Sequence, residues 1–239
     1  MVVKSELKLI KSLQHKKYRN EHGLFVVEGK KVVEEVINSK IKLHKLFAVA
    51  PEKIQLEGVQ TFSISNKELS QVSSLKSPNG FIGVFYIPKL EEEIVSDWIL
   101  VLDGVQDPGN LGTIIRLCDW FGVTDIVCSL ETVDCYNSKV LQATMGSITR
   151  VNIHYRAIDS FLNTTKLPVF GTFVDGASVK DSKLPKKGIM IMGNEGKGIS
   201  DLVAKFCTDK LAIPQFGNST TESLNVASAT AILLHEIRR

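Results

Sequence analysis

The chain has 239 residues, of which 44% are hydrophobic and 23% are charged, and its formal net charge is +3. This length can bury one large core or two modest ones, which is typical of an ordinary soluble globular protein. No apolar run approaches the roughly 18 residues of a membrane span, so membrane insertion and secretion are not expected. The four cysteines are sparse and show no CxxC spacing, so they support neither a disulfide framework nor a zinc knuckle. The simplest interpretation is reduced thiols in a cytoplasm.

The positive charge is concentrated near the start of the chain. Residues 1–45 contain eleven Lys and Arg against five Asp and Glu, a balance of +6, which leaves −3 for the other 194 residues. The densest stretch is HKKYRNEH, where Lys16, Lys17 and Arg19 flank an aromatic ring. Such a cluster can neutralise the phosphates of a nucleic acid and release counterions. The alternative is the solvated end of a helix.

Alternating strand and helix patterns over residues 1–88 predict a small α/β layer structure. A helix capped by Ser5 is followed by the strand LFVV, the helix EGKKVVEEVINS and the strands KLFAVA and TFSIS. Next come a short helix capped by Asn66, the turn SPNG and the strand FIGVFYI. The stretch PKLEEEIVSD has little periodicity, and it predicts a linker over residues 89–97.

Strand and helix patterns keep alternating over residues 98–239. The predicted strands are WILVLD, DIVCS, VNIHY, VFGTFVD, GIMIMG and LAIP. The predicted helices cover residues 113–121, 138–145 and 158–162, a stretch after 199, and residues 224–237. This order predicts a parallel sheet that is covered by helices on both faces.

Three polar segments in this second half each begin at the end of an apolar strand. They are DGVQDPGNLGTIIR (103–116), MGNEGKGIS (192–200) and LAIPQFGNSTTESLN (211–225). Open α/β sheets place their ligands just beyond strand ends, so the three segments predict one shared site, with enzymatic use favoured. For any single glycine-rich turn, the alternative is a simple reversal of the chain.

Several common kinds of site are not supported by these turns. GNEGKG does not match the GxxxxGK[ST] phosphate loop, and Lys197 is misplaced for its lysine. Neither glycine-rich turn matches GxGxxG, which argues against an NAD-type oxidoreductase. No metal is predicted, because the histidines show no metal-ligand spacing: His15, His22, His44, His154 and His235.

The segments NLGTIIR, MGNEGKGIS and IPQFGNSTTESLNVASATAILLHE resemble motifs 1, 2 and 3 of the SpoU (TrmH) family of RNA ribose 2′-O-methyltransferases, in the SPOUT class. The resemblance covers about residues 97–239, and the first 90 residues resemble a ribosomal-protein-like RNA-binding domain. It implies an α/β fold with a small N-terminal α/β/α domain (1–88) and a C-terminal parallel-sheet domain (98–239) with a deep trefoil knot. It also implies S-adenosylmethionine as cofactor, a homodimer and structured RNA as substrate, ribosomal RNA being favoured over tRNA.

The same resemblance assigns catalytic residues by position. Arg116 matches the motif 1 arginine, commonly taken as the base that activates the 2′-hydroxyl. Because a guanidinium normally stays protonated, we favour deprotonation by a neighbouring phosphate that Arg116 fixes. Asn110 is expected to orient Arg116 or the ribose, and Glu195 to hold the motif 1 loop through backbone or arginine contacts. Ser223 and Asn225 match positions of cofactor-loop and ribose contacts.

The cofactor contacts are implied in the same way. Gly193, Ile213 and Leu224 match residues whose backbones hold the adenosyl group in similar proteins, and Thr172 is expected to line the same pocket. One departure is that QFGNSTTE is about two residues longer than the common family form, and Gln215 replaces a usual methionine. The loop beside the cofactor is therefore expected to be longer or differently shaped.

Each assignment has a structural alternative. Arg116 could extend to solvent from its helix, Glu195 could cap the following helix, and Ser223 could cap the C-terminal helix. The functional alternative to a methyltransferase is a non-catalytic RNA-binding or ribosome-assembly factor that keeps the fold. Lys16, Lys17 and Arg19 are the predicted RNA contacts in either case.

Overall fold

A computed structural model describes residues 2–51, 59–90, 94, 96–217 and 222–239. The chain forms two compact units. Unit 1 comprises Met1–Lys89 and Tyr136–Thr149, and unit 2 comprises Leu90–Cys135 and Arg150–Arg239. The predicted linker over 89–97 and the predicted longer loop after Gln215 fall partly outside the described residues.

Unit 1 is built on a four-stranded sheet. Its elements, numbered along the whole chain, are α1 (Lys4–Ser12), α2 (Lys16–His22), β1 (Leu24–Glu28), α3 (Lys30–Ile37), β2 (Leu43–Ala48), β3 (Thr61–Ser63), α4 (Asn66–Val72), β4 (Phe81–Tyr86) and α6 (Ser138–Thr144). The strand order is β1-β4-β2-β3, in which β4 is antiparallel to β1 and β2, and β3 is parallel to β2.

Helices pack on both faces of this sheet. Ile10 of α1 and Leu69 of α4 share a buried cluster with Leu24 of β1 and Val84 of β4. Successive strand residues point to opposite faces, so Phe25, which follows Leu24, is buried on the other side. Both α3 and α6 pack against β1. The small α/β/α domain expected from the sequence is therefore present.

Two predicted helix caps in unit 1 are wrong. Ser5 lies inside α1, whose cap is Val3 and makes no side-chain bond. Helix α4 is capped by Ser65 rather than Asn66, because the Ser65 hydroxyl accepts a bond from Glu68 N (3.2 Å) while the Glu68 carboxylate accepts one from Ser65 N (2.9 Å). This reciprocal pair is a capping box, which satisfies two otherwise unpaired backbone donors.

Unit 2 is built on a six-stranded parallel sheet, as predicted. Its elements are β5 (Trp98–Asp103), α5 (Pro108–Phe121), β6 (Asp125–Cys128), β7 (Asn152–Tyr155), α7 (Ile158–Thr164), β8 (Val169–Ser178), β9 (Gly188–Gly193), α8 (Asp201–Ala204), β10 (Asp209–Ala212) and α9 (Val226–Arg238). The strand order is β10-β8-β9-β5-β6-β7, and every neighbouring pair is parallel.

Both faces of the unit 2 sheet are buried. Val101 and Ile191 share a core with Ile158 of α7 and Val203 of α8. The intervening strand residues are buried as well, on the side where α9 packs against β9 and against α5. None of the helices in the described residues has the length and apolar content that a bilayer crossing requires.

Residues 136–149 belong to unit 1, although in sequence they lie between β6 and β7. Val140 and Leu141 are the buried apolar residues of α6, and this helix contacts β1. From the sequence, this helix was expected to belong to the domain over residues 98–239. A seven-residue amphipathic pattern reveals an apolar face, but it does not reveal which sheet that face covers.

Candidate active site

The candidate site lies where the carboxyl ends of β5 and β9 are adjacent. In the sheet register Asp103, the last residue of β5, is paired with Gly193, the last residue of β9. The chain adds β6 on one side of β5 and later adds β9 on the other side. Such a switch in strand order opens a crevice beyond the strand ends, which is where open α/β sheets bind ligands.

Asn194 joins the loops that follow β5 and β9. Its side-chain nitrogen donates to the carbonyl oxygen of Gly104 at 2.7 Å, and its side-chain oxygen accepts from the backbone N–H groups of Gly196 and Lys197, each at 3.0 Å. Reciprocal backbone bonds of 2.9 Å to Gly198 close the turn. Asn194 was not predicted from the sequence, although an asparagine inside a glycine-rich turn commonly bonds to the backbone nearby.

Position 193 requires a glycine, because the backbone of the following turn passes very close to it. A β-carbon at this position would lie 2.2 Å from the carbonyl carbon of Gly198 and 2.3 Å from the backbone nitrogen of Ile199. Any side chain would therefore force the turn away from the strand end. The cofactor contact assigned to Gly193 by the resemblance stays a prediction.

Glu195 holds the loop that leads into α5. Its carboxylate accepts bonds from Gln106 N (3.2 Å), Asp107 N (3.0 Å) and the side-chain nitrogen of Asn110 (3.1 Å). Burial opposes ionisation of Glu195, but these bonds outweigh it and lower the pKa of the carboxyl below its ordinary value. Glu195 is thus an anionic acceptor near neutral pH, with the backbone contacts expected from the sequence.

Asn110 links the second and third segments. Its amide nitrogen donates to Glu195, while its amide oxygen accepts a bond of 2.9 Å from the side-chain nitrogen of Asn225. The partners are 85 and 115 residues away in sequence. Glu195, Asn110 and Asn225 therefore connect all three predicted segments. Within the described residues the Asn110 side chain does not bond to Arg116, so no orientation of Arg116 by Asn110 is observed.

Asn225 caps the C-terminal helix. Its side-chain oxygen accepts from Ala227 N (3.0 Å) and Ser228 N (3.2 Å), so one amide group both caps α9 and contacts Asn110. The alternative in which Ser223 is the cap is wrong, because Ser223 lies two residues earlier and is exposed. The alternative in which Glu195 caps the next helix is also wrong, since Ser200 is the N-cap of α8.

Helix α5 begins earlier than predicted, at Pro108 rather than Thr113. Asp107 is its N-cap and accepts a bond of 2.8 Å from Asn110 N. An aspartate followed by proline is a recognised start signal, so the sequence contained the information. The early start places Asn110 in the first turn, where its side chain is near Glu195.

Arg116 is exposed on α5 and has no hydrogen bond or ion pair to any residue that the structure describes. It lies six residues after Asn110, about 9 Å further along the helix axis at 1.5 Å per residue. Its guanidinium is therefore available to a ligand, and it is not part of the network around Glu195.

The remaining predicted cofactor residues are Thr172, on the strand β8 next to β9, and Ile213 and Leu224, in the third segment. The Thr172 hydroxyl of β8 donates to the carbonyl oxygen of Ile191 at 2.9 Å. Ile213 follows the end of β10 and is partly buried. Leu224, adjacent to the helix cap, is 51% exposed. Two apolar side chains near the strand ends are thus open to contact with a ligand.

Of the three predicted RNA contacts on α2, two are exposed in the structure and one is buried. Lys16 and Lys17 are exposed. Arg19 is only 3% exposed, and one of its guanidinium nitrogens donates to the carbonyl oxygens of Leu13 and Gln14, each at 2.9 Å. The prediction that Arg19 contacts RNA is therefore wrong, because its side chain is used to satisfy carbonyl groups beyond the end of α1.

Two family models match the chain. Residues 97–235 match the SpoU rRNA Methylase family, and residues 4–83 match the MRM3-like substrate binding domain. The chain is 31% identical over 235 residues to the 23S rRNA (guanosine(2553)-2'-O)-methyltransferase RlmP of Bacillus subtilis, covering 95% of this chain and 94% of that protein. It is 27% identical to the 23S rRNA (guanosine-2'-O-)-methyltransferase RlmB of Neisseria meningitidis, covering 79% and 80% of the two chains.

Solved structures agree with these matches. A TrmH-family protein from Porphyromonas gingivalis superposes with a TM-score of 0.90 at 35% identity, covering 100% of this chain and 98% of that one. The AdoMet-bound rRNA methyltransferase from Sinorhizobium meliloti superposes with a TM-score of 0.87 at 28% identity, covering 100% and 95%. The chain therefore belongs to the SpoU rRNA methylase family.

Proposed function

We propose that this protein transfers a methyl group from S-adenosylmethionine to the 2′-hydroxyl of a ribose in ribosomal RNA. The observation that carries the proposal is the junction of Glu195, Asn110 and Asn225 beyond the carboxyl ends of β5 and β9. These bonds join three separate segments beyond the strand ends. Arg116, about 9 Å from Asn110 along the axis of α5, is exposed and has no hydrogen bond or ion pair among the described residues.

The cofactor assignment fits the chemistry of the residues at the strand ends. Gly193, Ile213 and Leu224 offer backbone groups for the adenosyl moiety, and the partly exposed Ile213 and Leu224 side chains offer apolar contact for a flat ring. Thr172 would line the same pocket. S-adenosylmethionine supplies an already activated methyl group, so the protein must add positioning and a route for one proton.

Arg116 acts on that proton indirectly, by fixing the phosphate that accepts it. Its planar guanidinium can hold an RNA phosphate through two parallel hydrogen bonds. The held phosphate accepts the proton of the 2′-hydroxyl as the bond from oxygen to methyl carbon forms and the bond from sulfur to methyl carbon breaks. Asn110 and Asn225 present amide groups that orient the ribose, and Ser223 contacts the cofactor loop. Glu195 acts on the reaction indirectly, by holding the Asn110 turn.

We propose ribosomal RNA as the substrate class, because two relatives that match most of this chain are named 23S rRNA methyltransferases and residues 4–83 match a substrate binding domain. We also propose a homodimer, a trefoil knot in unit 2, and a cytoplasmic location. All four cysteines are free thiols, which is consistent with a reducing compartment.

The test is methyl transfer from tritiated S-adenosylmethionine to total RNA that lacks its own modifications, followed by nuclease mapping of 2′-O-methyl nucleotides. Label at one ribose of ribosomal RNA is the expected result, and label on tRNA would correct the substrate class. Ribosomal subunits at different assembly stages are tested as further substrates. If cofactor and RNA both bind but neither free RNA nor any subunit is labelled, the protein is a non-catalytic RNA-binding factor.

A further inference from the structure

Several segments of unit 1 meet at the end of β1. The carboxylate of Glu28, the last residue of β1, accepts bonds from the backbone nitrogen (2.8 Å) and hydroxyl (2.6 Å) of Ser74 and from the Ser73 hydroxyl. The Gln14 side-chain nitrogen, just before α2, donates to the carbonyl oxygen of Val72 at 2.7 Å. These bonds place the start of α2 and the segment after α4 beside the end of β1.

Helices α3 and α6 also begin at this end. Helix α3 begins at Lys30, two residues after Glu28. Helix α6 begins at Ser138, in the segment that joins unit 1 from later in the chain. A surface depression is lined by Gln14, Glu28, Ser74 and Ser138, among others. Four separate segments of unit 1 therefore converge at the end of β1.

Each of these four segments carries one or two exposed lysines. Every one of them lies within three residues of a residue that lines the depression, so its backbone is at most about 11 Å away. We call these six lysines the lysine collar: Lys16, Lys17, Lys30, Lys31, Lys76 and Lys139. The collar is assembled by the fold, because its members come from four parts of the sequence.

Few acids oppose the charge of the collar. Glu28 lies among the lysines, but its carboxylate is engaged by Ser73 and Ser74. Lys30 lies 3.8 Å from Glu34, an exposed pair on α3 that is weak in water. The four segments contain six lysines and one acid, a balance of +5: residues 14–17, 28–31, 74–77 and 138–141. This end of unit 1 therefore attracts a polyanion.

The surface between these lysines is polar. The large aliphatic residues of the four segments point inward, since Val140 and Leu141 are buried and Leu75 is partly buried. Protein interfaces are depleted in lysine and depend on aromatic or apolar anchors, whereas lysine is a common contact to phosphates of nucleic acids. The composition of the collar therefore favours RNA over an acidic protein.

We infer that the lysine collar holds the phosphate backbone of the RNA substrate, and that α6 contributes to this surface through Lys139. Lysine ammonium groups act as point charges that displace counterions from the RNA, so the collar supplies affinity and orientation rather than a choice of sequence. The inference rests on the proposed function. It names the surface of unit 1 that holds RNA, and it gives a role to a helix that comes from the second half of the chain.

The test is binding of the full chain to a fluorescent RNA hairpin, measured by anisotropy at several salt concentrations without cofactor. Log affinity falls with log salt by about 0.7–0.9 for each phosphate contact. The double variant Lys30→Gln, Lys31→Gln should therefore reduce this slope by about 1.4–1.8, and Lys139→Gln by about 0.7–0.9. At about 0.1 M salt, each lost contact should weaken binding about five- to eightfold.

The double variant Lys40→Gln, Lys42→Gln is the matched control. Lys40 and Lys42 are exposed lysines that follow the end of α3, whereas Lys30 and Lys31 form its first turn. The backbone of Lys42 accepts a bond of 2.9 Å from Tyr86, at the other end of the sheet. The control loses the same two charges, but its salt slope should equal that of the parent. Lys30→Arg, Lys31→Arg keeps both charges and should bind as the parent does.

The outcomes separate this inference from the proposed function. A smaller slope in both collar variants, with no change in the control, supports the inference even if no RNA is ever methylated. Equal slopes in the parent and the collar variants overturn it, even if the parent methylates RNA. Equal losses in the collar variants and the control also overturn it, because binding would then follow total charge.

Two further results bear on parts of the inference. An unchanged slope in Lys139→Gln alone would overturn the contribution of α6. Polyglutamate that displaces the hairpin as well as unlabelled RNA of equal charge does would overturn the assignment to RNA, because the collar would then bind any acidic polymer.

Discussion

Glu195 is the residue whose carboxylate collects the most donors at the candidate site. Glu195→Gln replaces one carboxylate oxygen with an NH2 group, which must face one of the N–H donors of Gln106, Asp107 or Asn110. Hydrogen bonds to a charged group contribute about 1.5–3 kcal/mol each, so turnover should fall about ten- to a hundredfold. Steady-state kinetics with saturating RNA measures this. Glu131→Gln, an exposed glutamate in unit 2, is the control, and equal turnover of both variants would refute the role.

Arg116 tests the chemistry more directly than any other residue. Arg116→Lys keeps the positive charge but loses the planar fork that holds a phosphate through two bonds. We expect kcat to fall about ten- to a hundredfold at every pH, with little change in cofactor affinity, by analogy with loss of one transition-state donor. A pH–rate profile and calorimetry of cofactor binding provide the readouts. Arg156→Lys, whose guanidinium lies over the Phe161 ring, is the control; nearly full turnover of Arg116→Lys would rule out phosphate fixation by the fork.

Some contacts of single residues could be predicted from the sequence, and others could not. The contact between Glu195 and the first segment could be predicted, because a recognised motif fixes both partners. Arg19 could not be separated from Lys16 and Lys17 by composition, since all three belong to one basic run. The difference arises from packing: Arg19 faces inward and its guanidinium reaches two carbonyl groups. Long basic side chains can bury their stems, and only the fold decides which of them do so.

At the scale of elements, strands were easier to predict than helix starts. The apolar run of β9 matches its predicted bounds, because a buried parallel strand reads as a continuous aliphatic run. Helix α5 was predicted five residues too short, since Gly109 and Gly112 disfavour a helix by intrinsic propensity. Gly112 is buried, so tertiary packing overrides that propensity. The assignment of α6 to unit 1 depends on a contact with β1 that no local pattern encodes.

Asp125 ties the starts of β6 and β7 together. Its carboxylate accepts bonds from His154 Nε2, the Asn152 side-chain nitrogen and the Thr124 hydroxyl, each at 3.0 Å, and from the Ser96 hydroxyl. Burial by itself would raise its pKa, but these bonds prevail and hold the pKa of Asp125 well below its ordinary value. Because the folded state favours the ionised carboxyl, the stabilisation is complete above the unfolded pKa of about 3.9 and is lost as pH falls further.

Asp125→Asn should therefore lower the free energy of unfolding of unit 2 by about 1–3 kcal/mol at pH 7. The gap between parent and variant should stay constant down to about pH 5 and shrink below about pH 4. Urea titrations followed by tryptophan fluorescence measure it, because both tryptophans, Trp98 and Trp120, lie in unit 2. Asp175→Asn, at an exposed aspartate of β8, should show no such pH dependence. A gap that persists unchanged at pH 3 would contradict the assignment.

At the scale of the whole molecule, the fold class and the two-part organisation could be predicted, but the strand order could not. The alternation of strands and helices indicates a parallel sheet covered on both faces, and the structure confirms it. The order β10-β8-β9-β5-β6-β7 depends on which strands become neighbours across long stretches of chain. That choice creates the switch at β5. The sequence therefore predicted a shared site beyond the strand ends, but not which strands are adjacent there. Asn194, which spans the crevice, was missed for the same reason.

The proposed homodimer makes a prediction about a tryptophan. Trp120 on α5 is 84% exposed, and Ile232 on α9, the helix that packs against α5, is 40% exposed. A tryptophan carries a large apolar surface and is among the residues that contribute most to interfaces, so its exposure favours coverage by a second copy of the chain. Trp120→Glu should raise the dimer dissociation constant about thirtyfold or more, since an interface hot spot contributes at least about 2 kcal/mol.

Sedimentation velocity over a range of protein concentrations measures this shift. Val174→Glu is the matched control, because Val174 on β8 is 78% exposed and carries the same change from apolar to acidic. The parent protein and Val174→Glu should remain dimeric at concentrations where Trp120→Glu dissociates. A parent that sediments as a monomer at every concentration would refute the dimer. A dimeric Trp120→Glu would instead place the interface away from α5. If Trp120→Glu is monomeric, as expected, its affinity for the cofactor will show whether one chain completes the site alone.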